Sequence, residues 1–239
     1  MILKKIKYHM LKTKVQIATA IAILFHAIGF VGMFFNKEFF VQTTALNLLL
    51  MFGLILYTQS KISWQIILFF AVCFAVGVWV EIIGTSTGLL FGQYSYSNNL
   101  GISFKNVPLI IGINWCIIMY CSGATVYTIF KKLSAKVQEV TGTPPSPVLQ
   151  LFSIVTDAAM LAVFFDWVLE PAAIKLGYWQ WLNDGEVPAY NYMCWFIISS
   201  MLLLLFGLLK FEKENKFAVH LLMIMMLFFM LIRIFYDII

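Results

Sequence analysis

Seven long apolar runs constrain this chain more than any other feature. They cover Val15–Phe35, Val41–Tyr57, Ser63–Ile83, Pro108–Phe130, Leu149–Ile174, Asn191–Leu209 and Phe217–Tyr236. A helix needs about 20 mostly apolar residues to cross the hydrocarbon core of a bilayer, whereas membrane strands run to about 9–11 residues of alternating polarity. These runs are long and do not alternate, so they are read as helices. Charge agrees with length: only 11% of the residues are charged, against about 25% in soluble proteins, too few for a hydrated shell. The sequence therefore predicts an all-α polytopic membrane bundle of about seven transmembrane helices, with residues 1–239 as a single transmembrane domain.

Lysine placement sets the expected orientation, because cytoplasmic segments carry the excess of Lys and Arg. With the N-terminus cytoplasmic, twelve lysines fall on inner segments: Lys4, Lys5, Lys7, Lys12, Lys14, Lys61, Lys131, Lys132, Lys136, Lys210, Lys213 and Lys216. Three (Lys37, Lys105, Lys175) fall on outer segments, and Arg233 lies inside the last run. The net charge of +5 is thus read as topology and contact with anionic membrane lipid, and it argues against a nucleic-acid partner. The first run is too long for a signal-peptide core and no small-residue cleavage site follows it, so it is read as a retained span. Cys73, Cys116, Cys121 and Cys194 all fall within runs and form no CxxC, which fits small buried apolar residues.

Between the fourth and fifth runs, Leu133–Val148 contains Thr-Gly-Thr-Pro-Pro-Ser-Pro and is expected to be a flexible cytoplasmic loop. Two outer loops differ in character. Gly84–Val107 is rich in Gly, Tyr, Ser and Asn, and Leu176–Tyr190 carries Tyr178, Trp179 and Trp181 beside Asp184 and Glu186. Aromatic residues at a membrane edge are first of all interfacial anchors. Long loops bearing them also cap pockets. No internal repeat supports an inverted-repeat transporter.

Four carboxylates lie within runs: Glu81, Asp157, Asp166 and Glu170. Each costs about 2.5–3.5 kcal/mol or more at mid-membrane, so each is expected to face a partner or a cavity. Asp157 falls near the inner end of the fifth run and is read as an interfacial or helix-linking residue. Asp166 and Glu170 are one helical turn apart on one face, with Pro171 next. Two adjacent carboxyls in an apolar setting do not both ionise readily, so one of the pair is expected to hold a proton. Glu81, Asn114, Asp166, Glu170 and Asn191 come from four runs and fall at about one depth in the outer half, which points to a site. His26 is read as a hydrogen-bonded core histidine, and Asn47 falls in the outer half of the second run.

Other chemistries lack their residues. Three histidines cannot supply a histidine-rich di-iron centre, GxGxxG and P-loop patterns are missing, and the last run has no lysine for a retinal Schiff base. The inventory is carboxylates, amides and aromatics, with neither metal nor cofactor expected, and it suits acid–base chemistry on a lipid-soluble molecule.

An ordered set of motifs carries a family resemblance. Glu81-Ile-Ile-Gly-Thr-Ser-Thr-Gly88, Phe91-Gly-Gln-Tyr-Ser-Tyr96, Leu100-Gly101, Val107-Pro108, Asn114-Trp115, Asp166-Trp-Val-Leu-Glu-Pro-Ala172, Gly177-Tyr-Trp-Gln-Trp181, Val187-Pro188 and Asn191-Tyr-Met-Cys-Trp195 follow one another. Over about Trp79–Trp195 the chain resembles the membrane carotenoid-biosynthesis family that includes the carotenoid 1,2-hydratases. The resemblance implies addition of water to the terminal double bond of an acyclic carotenoid, with a bacterial inner membrane as the setting. For that chemistry Glu170 is assigned as the acid, Asp166 as its proton-holding partner and Glu81 as the base that activates water. Asn114 and Asn191 would position the water, and Trp115, Trp195, Tyr94 and Trp179 would line the pocket. Ring closure by a cyclase begins with the same protonation and remains open at this point. So do a proton-coupled or lipid transporter and a non-catalytic carotenoid-binding subunit. Oligomeric partners are not legible.

Overall fold

The computed structural model describes residues 2–182 and 185–235. Its described residues form seven helices: α1 (Ile2–Gln42), α2 (Thr44–Thr58), α3 (Trp64–Thr87), α4 (Ile110–Thr141), α5 (Pro147–Leu176), α6 (Ala189–Leu208) and α7 (Lys216–Phe235). Six are long and apolar enough to cross a membrane, and α2 is the short one. Buried apolar residues from all seven join one continuous core. Large apolar side chains also cover the outside, among them Phe35, Trp64, Met160, Met201 and Met223. A water-facing surface rarely carries contiguous apolar cover on this scale. The chain is a multi-pass membrane bundle.

Three boundaries depart from the sequence reading. The second span was expected at Val41–Tyr57, but Val41 belongs to the tail of α1, and α2 is 15 residues long. At 1.5 Å per residue it rises about 22 Å, short of the 30 Å hydrocarbon core. The cause is a break inside α1 at Asn36 (φ −154°, ψ 81°). Its Oδ1 accepts from the Phe39 amide at 3.1 Å and caps a short second helical segment. That segment uses up apolar residues that a hydropathy window assigns to the next span.

The expected loop Leu133–Val148 is also helical for more than half its length. Residues 133–140 hold Lys, Ala, Gln and Glu, good helix formers, and nothing stops α4 before Gly142 (φ +76°), whose amide bonds the Gln138 carbonyl. Ser146 then caps α5 through the Leu149 amide, with Pro147 opening the helix, so the linker is short. At the opposite end, α3 continues to Thr87 rather than ending at Ile83. Thr85, Ser86 and Thr87 donate their hydroxyls to the carbonyls of Glu81, Ile82 and Ile83 at 2.9, 2.5 and 2.6 Å, which satisfies polar side chains without solvent. The Tyr236 end of the seventh run and Asp184 lie outside the described residues.

The two aromatic loops meet. β1 (Tyr94–Tyr96) pairs antiparallel with β4 (Trp179–Trp181), Tyr94 facing Trp181 and Tyr96 facing Trp179. A second small ribbon joins β2 (Ser103–Phe104) and β3 (Val107–Pro108). The β1–β4 ribbon lies across the end of the bundle that holds the C-terminus of α3, the N-terminus of α4, the C-terminus of α5 and the N-terminus of α6. We call this the sheet end. The opposite end carries most of the lysines, including the Lys131–Glu214 ion pair between α4 and the α6–α7 connection.

Candidate active site

α3 prepares the site with a stripe of small residues around one acid. Gly77, Glu81 and Gly84 stand at four- and three-residue spacing, on one helix face. A Cβ on Gly77 would sit 2.6 Å from Cγ of Trp115, and one on Gly84 would sit 2.7 Å from the Tyr94 hydroxyl. The two glycines therefore let an indole and a phenol close on the carboxylate between them. Glu81 Oε2 accepts from the Tyr94 hydroxyl at 2.5 Å and from the Tyr96 hydroxyl at 2.8 Å, and Oε1 accepts from Trp115 Nε1 at 3.1 Å. Burial, followed by the charge of Glu81, pushes both phenols well above the ordinary tyrosine range. They remain donors.

α5 supplies the other two acids. Glu170 Oε2 accepts from Trp179 Nε1 and from Trp181 Nε1, each at 3.0 Å, and Oε1 takes no part in these bonds. Asp166 Oδ2 accepts from Asn191 Nδ2 at 2.7 Å, and its Oδ1 is likewise outside that bond. Asp166, Glu170, Glu81 and Asn191 are all buried. An indole N–H can only donate, so a tryptophan is a suitable partner for a carboxyl that must stay inside an apolar bundle.

These groups enclose one cavity with Asn114, Trp115, Trp195, Phe91, Ile111 and Leu169 on its remaining walls, and its volume is about 30 Å³. That is room for about one water molecule. Trp115 and Trp195 stack face to face, centroids 4.1 Å apart with 6° between the planes, and Phe91 leans on both. Phe91 holds a left-handed backbone (φ 64°) while its amide donates to Cys194 Sγ at 3.4 Å. Asn114 lines the cavity, and its side-chain amide has no hydrogen-bond partner among the described residues. The other three cysteines are also free and buried.

All nine residues singled out from the sequence (Glu81, Tyr94, Asn114, Trp115, Asp166, Glu170, Trp179, Asn191 and Trp195) line this single cavity. Asp157 does not: it is exposed near the N-terminal end of α5 and takes the Ser153 hydroxyl at 2.5 Å. Tyr96 and Trp181 were missed as site residues, although both bond an acid directly. A signal was available in the sequence. Tyr94-x-Tyr96 and Trp179-x-Trp181 have the period of two that puts alternate side chains on one face of a strand.

A family model described as carotenoid biosynthesis protein matches residues 39–239. The chain belongs to this family. The match extends beyond the motif-bearing core to α2 and α7, and it leaves out most of α1. Neither the curated proteins nor the solved structures compared with the chain gave a match. Membership of the family gives the chain a role in carotenoid biosynthesis and implies a carotenoid substrate and a membrane setting.

Proposed function

We propose that this carotenoid biosynthesis protein is a hydratase that adds water across the terminal C=C of an acyclic carotenoid. The observation that carries this reading is the composition of the one small cavity. It holds three carboxyls, a stacked indole pair and the unpartnered amide of Asn114, in a space suited to a water molecule. An enzyme that only closes a ring would gain from keeping water out.

Glu170 gives a proton to the less substituted carbon of the double bond, forming a C–H bond and leaving a tertiary cation on the neighbouring carbon. Aromatic faces of the lining, those of Trp115 and Trp195 first, stabilise that cation through their quadrupoles. Water held by Asn114 and Asn191 attacks the cation and forms the C–O bond, and Glu81 takes the water proton. A carboxylate offers about four lone-pair positions; three on Glu81 are used, which leaves one for this water. One proton passed back from Glu81 to Glu170, with Asp166 holding it on the way, resets the site. The sum is alkene plus water to tertiary alcohol. A terminal isoprenoid group is far larger than one water, so the lining must part to admit it, from the lipid side, with the lysine-rich end towards the cytoplasm of a bacterial inner membrane.

The test is expression in a lycopene-accumulating bacterial strain grown in oxygen-18 water, with pigments resolved by chromatography and mass spectrometry. The expected product is a more polar pigment heavier by one labelled water. A new pigment of unchanged mass would make the protein a cyclase. Unchanged acyclic carotenoids of both ordinary and longer chain length, with the protein present in the membrane, would overturn an enzymatic role and favour a binding subunit or a transporter.

A further inference from the structure

A second, larger cavity of about 310 Å³ lies between the kinked end of α1, α2 and α7, and Tyr178 closes part of it. That volume is within the range of small-molecule sites. Its rim holds Phe25, Ile28, Phe39 and Leu46, all exposed on the apolar surface of the bundle, so it opens towards lipid. The interior is apolar apart from a few groups. His26 is buried, and its Nδ1 lies 2.7 Å from the Ala22 carbonyl. A carbonyl only accepts, so Nδ1 carries the proton, and in the neutral ring Nε2 is left as an acceptor. Asn47 lines the same cavity, and its Oδ1 is buried with no hydrogen-bond partner in the protein. The Thr44 and Tyr178 hydroxyls are joined to each other at 2.6 Å.

Two acceptors with no donor partner in the protein, His26 Nε2 and Asn47 Oδ1, in a mostly apolar cavity specify the ligand's polar group. A hydrocarbon would leave both unpaired, and an unmade buried hydrogen bond costs about 1–3 kcal/mol. A ketone or ether only accepts: it can take an N–H from Asn47 Nδ2 but has no proton to give to His26 Nε2 or Asn47 Oδ1. A hydroxyl has one proton to give and can also accept, so it donates to His26 Nε2 while accepting from Asn47 Nδ2, or donates to Asn47 Oδ1. Position adds a second argument: Tyr178 lines this cavity and is followed directly by Trp179, whose indole holds Glu170. Neighbouring residues at the start of β4 thus line the two cavities.

We propose that the α1–α2–α7 cavity is a second binding site, which holds the hydroxyl-bearing end of an acyclic carotenoid through His26 and Asn47. It is a site for the product of this protein, or for the already hydrated end of a molecule modified at both ends. The identity of the alcohol rests on the hydratase reading; the preference for a hydroxyl does not. His26 lies outside the residues that the family model matches, whereas Asn47 and Tyr178 lie within them.

The test uses Glu170→Gln protein in lipid nanodiscs, so that no ligand is converted. It is incubated with equal amounts of lycopene and its 1-hydroxy derivative, re-isolated, and the two bound pigments are quantified by chromatography. The expected result is a preference of about tenfold for the alcohol, the size of one buried hydrogen bond. That preference should fall to near unity in Glu170→Gln/Asn47→Leu and in Glu170→Gln/His26→Phe, while lycopene binding is retained. No preference, or one that survives both second substitutions, overturns the proposal. Displacement of the hydroxylated polyene by equimolar diacylglycerol would also overturn it, by making the cavity a general lipid-alcohol site. If Asn47→Leu does not fold, His26→Phe carries the test alone. Since the assay involves no turnover, a failed hydration experiment and a failed binding experiment remain separate results.

Discussion

Towards the lysine-rich end, Thr58, Gln59, Tyr120 and Asn215 form a buried knot of neutral groups, while the sheet end gathers three carboxyls around a cavity. In the knot, Tyr120 donates to Gln59 Oε1 at 2.5 Å and Gln59 Nε2 donates to the Glu212 carbonyl at 2.6 Å. Asn215 Nδ2 reaches Thr58 Oγ1 at 3.2 Å, and its Oδ1 accepts the Phe217 amide at the start of α7. Donors and acceptors are spent on one another and on the backbone, tying α2, α4 and α7 together. At the sheet end the balance differs. Tyrosine and tryptophan donors are supplied to Glu81 and Glu170, yet Asn114 keeps its amide unpartnered, and one oxygen each of Asp166 and Glu170 lies outside the bonds made. Both regions are buried and polar, so burial alone says nothing of function. Hydrogen-bonding capacity left over, beside a cavity, is what separates a site from a structural tie.

The hardest test of that separation is Glu170→Gln. General acid catalysis contributes about 10²–10⁴-fold, and the amide keeps an oxygen for the two indoles, so hydration should drop by about that factor. The melting midpoint in detergent should move little. A variant that loses its fold in step with its activity would place Glu170 with the structural knot. Glu81→Gln is expected to follow, with a loss of about 10²-fold in labelled-water incorporation. An amide accepts through only one of its two ends; with its oxygen on Trp115, the Tyr94 and Tyr96 hydroxyls turn to accept its N–H groups, so the melting midpoint should move little.

Gln59→Leu should produce the reverse pattern. It strands the Tyr120 hydroxyl and the Glu212 carbonyl, and a buried group left without its partner costs about 1–3 kcal/mol. Thermal unfolding in detergent should show that destabilisation, while turnover per folded molecule stays within about twofold. A selective loss of turnover would mean that the two ends are coupled and the comparison drawn above is wrong.

How much of this was legible in the sequence follows from what each feature costs. Seven apolar runs and three mid-membrane acids stand out because bilayer length and charge burial leave few alternatives. The break at Asn36 does not stand out: Phe39, Phe40 and Val41 read as the lead-in to the next apolar run, and only the backbone shows that they belong to a separate helical segment. The length of α4 was hidden by the Pro cluster at 144–147, which marks where a helix cannot run and not where the preceding one stops. Tyr96 and Trp181 were missed for another reason. Each was visible as an aromatic residue at a membrane edge, where anchoring is the default, and the pairing of β1 with β4 joins segments more than eighty residues apart. The alternation within each segment was readable; that the two alternations face each other was not.

The finest form of the comparison removes one hydroxyl from each region. Tyr96→Phe takes a donor from Glu81, and Tyr120→Phe takes a donor from Gln59, with the same change in volume. Each hydrogen bond is worth about 1 kcal/mol, or about a fivefold change in an equilibrium or a rate. If the sheet end is chemical and the knot structural, the same loss should appear in different measurements. Tyr96→Phe should lower the hydration rate about fivefold with a melting midpoint close to that of the parent. Tyr94 still holds Glu81 Oε2 in that variant, so the carboxylate keeps its place and loses only part of its field of donors. Tyr120→Phe should leave the rate unchanged and lower the midpoint, because Gln59 Oε1 retains only the longer 3.4 Å contact from Asn215. Equal effects of both substitutions on both readouts would show that the hydrogen bonds of the two regions serve the fold alike.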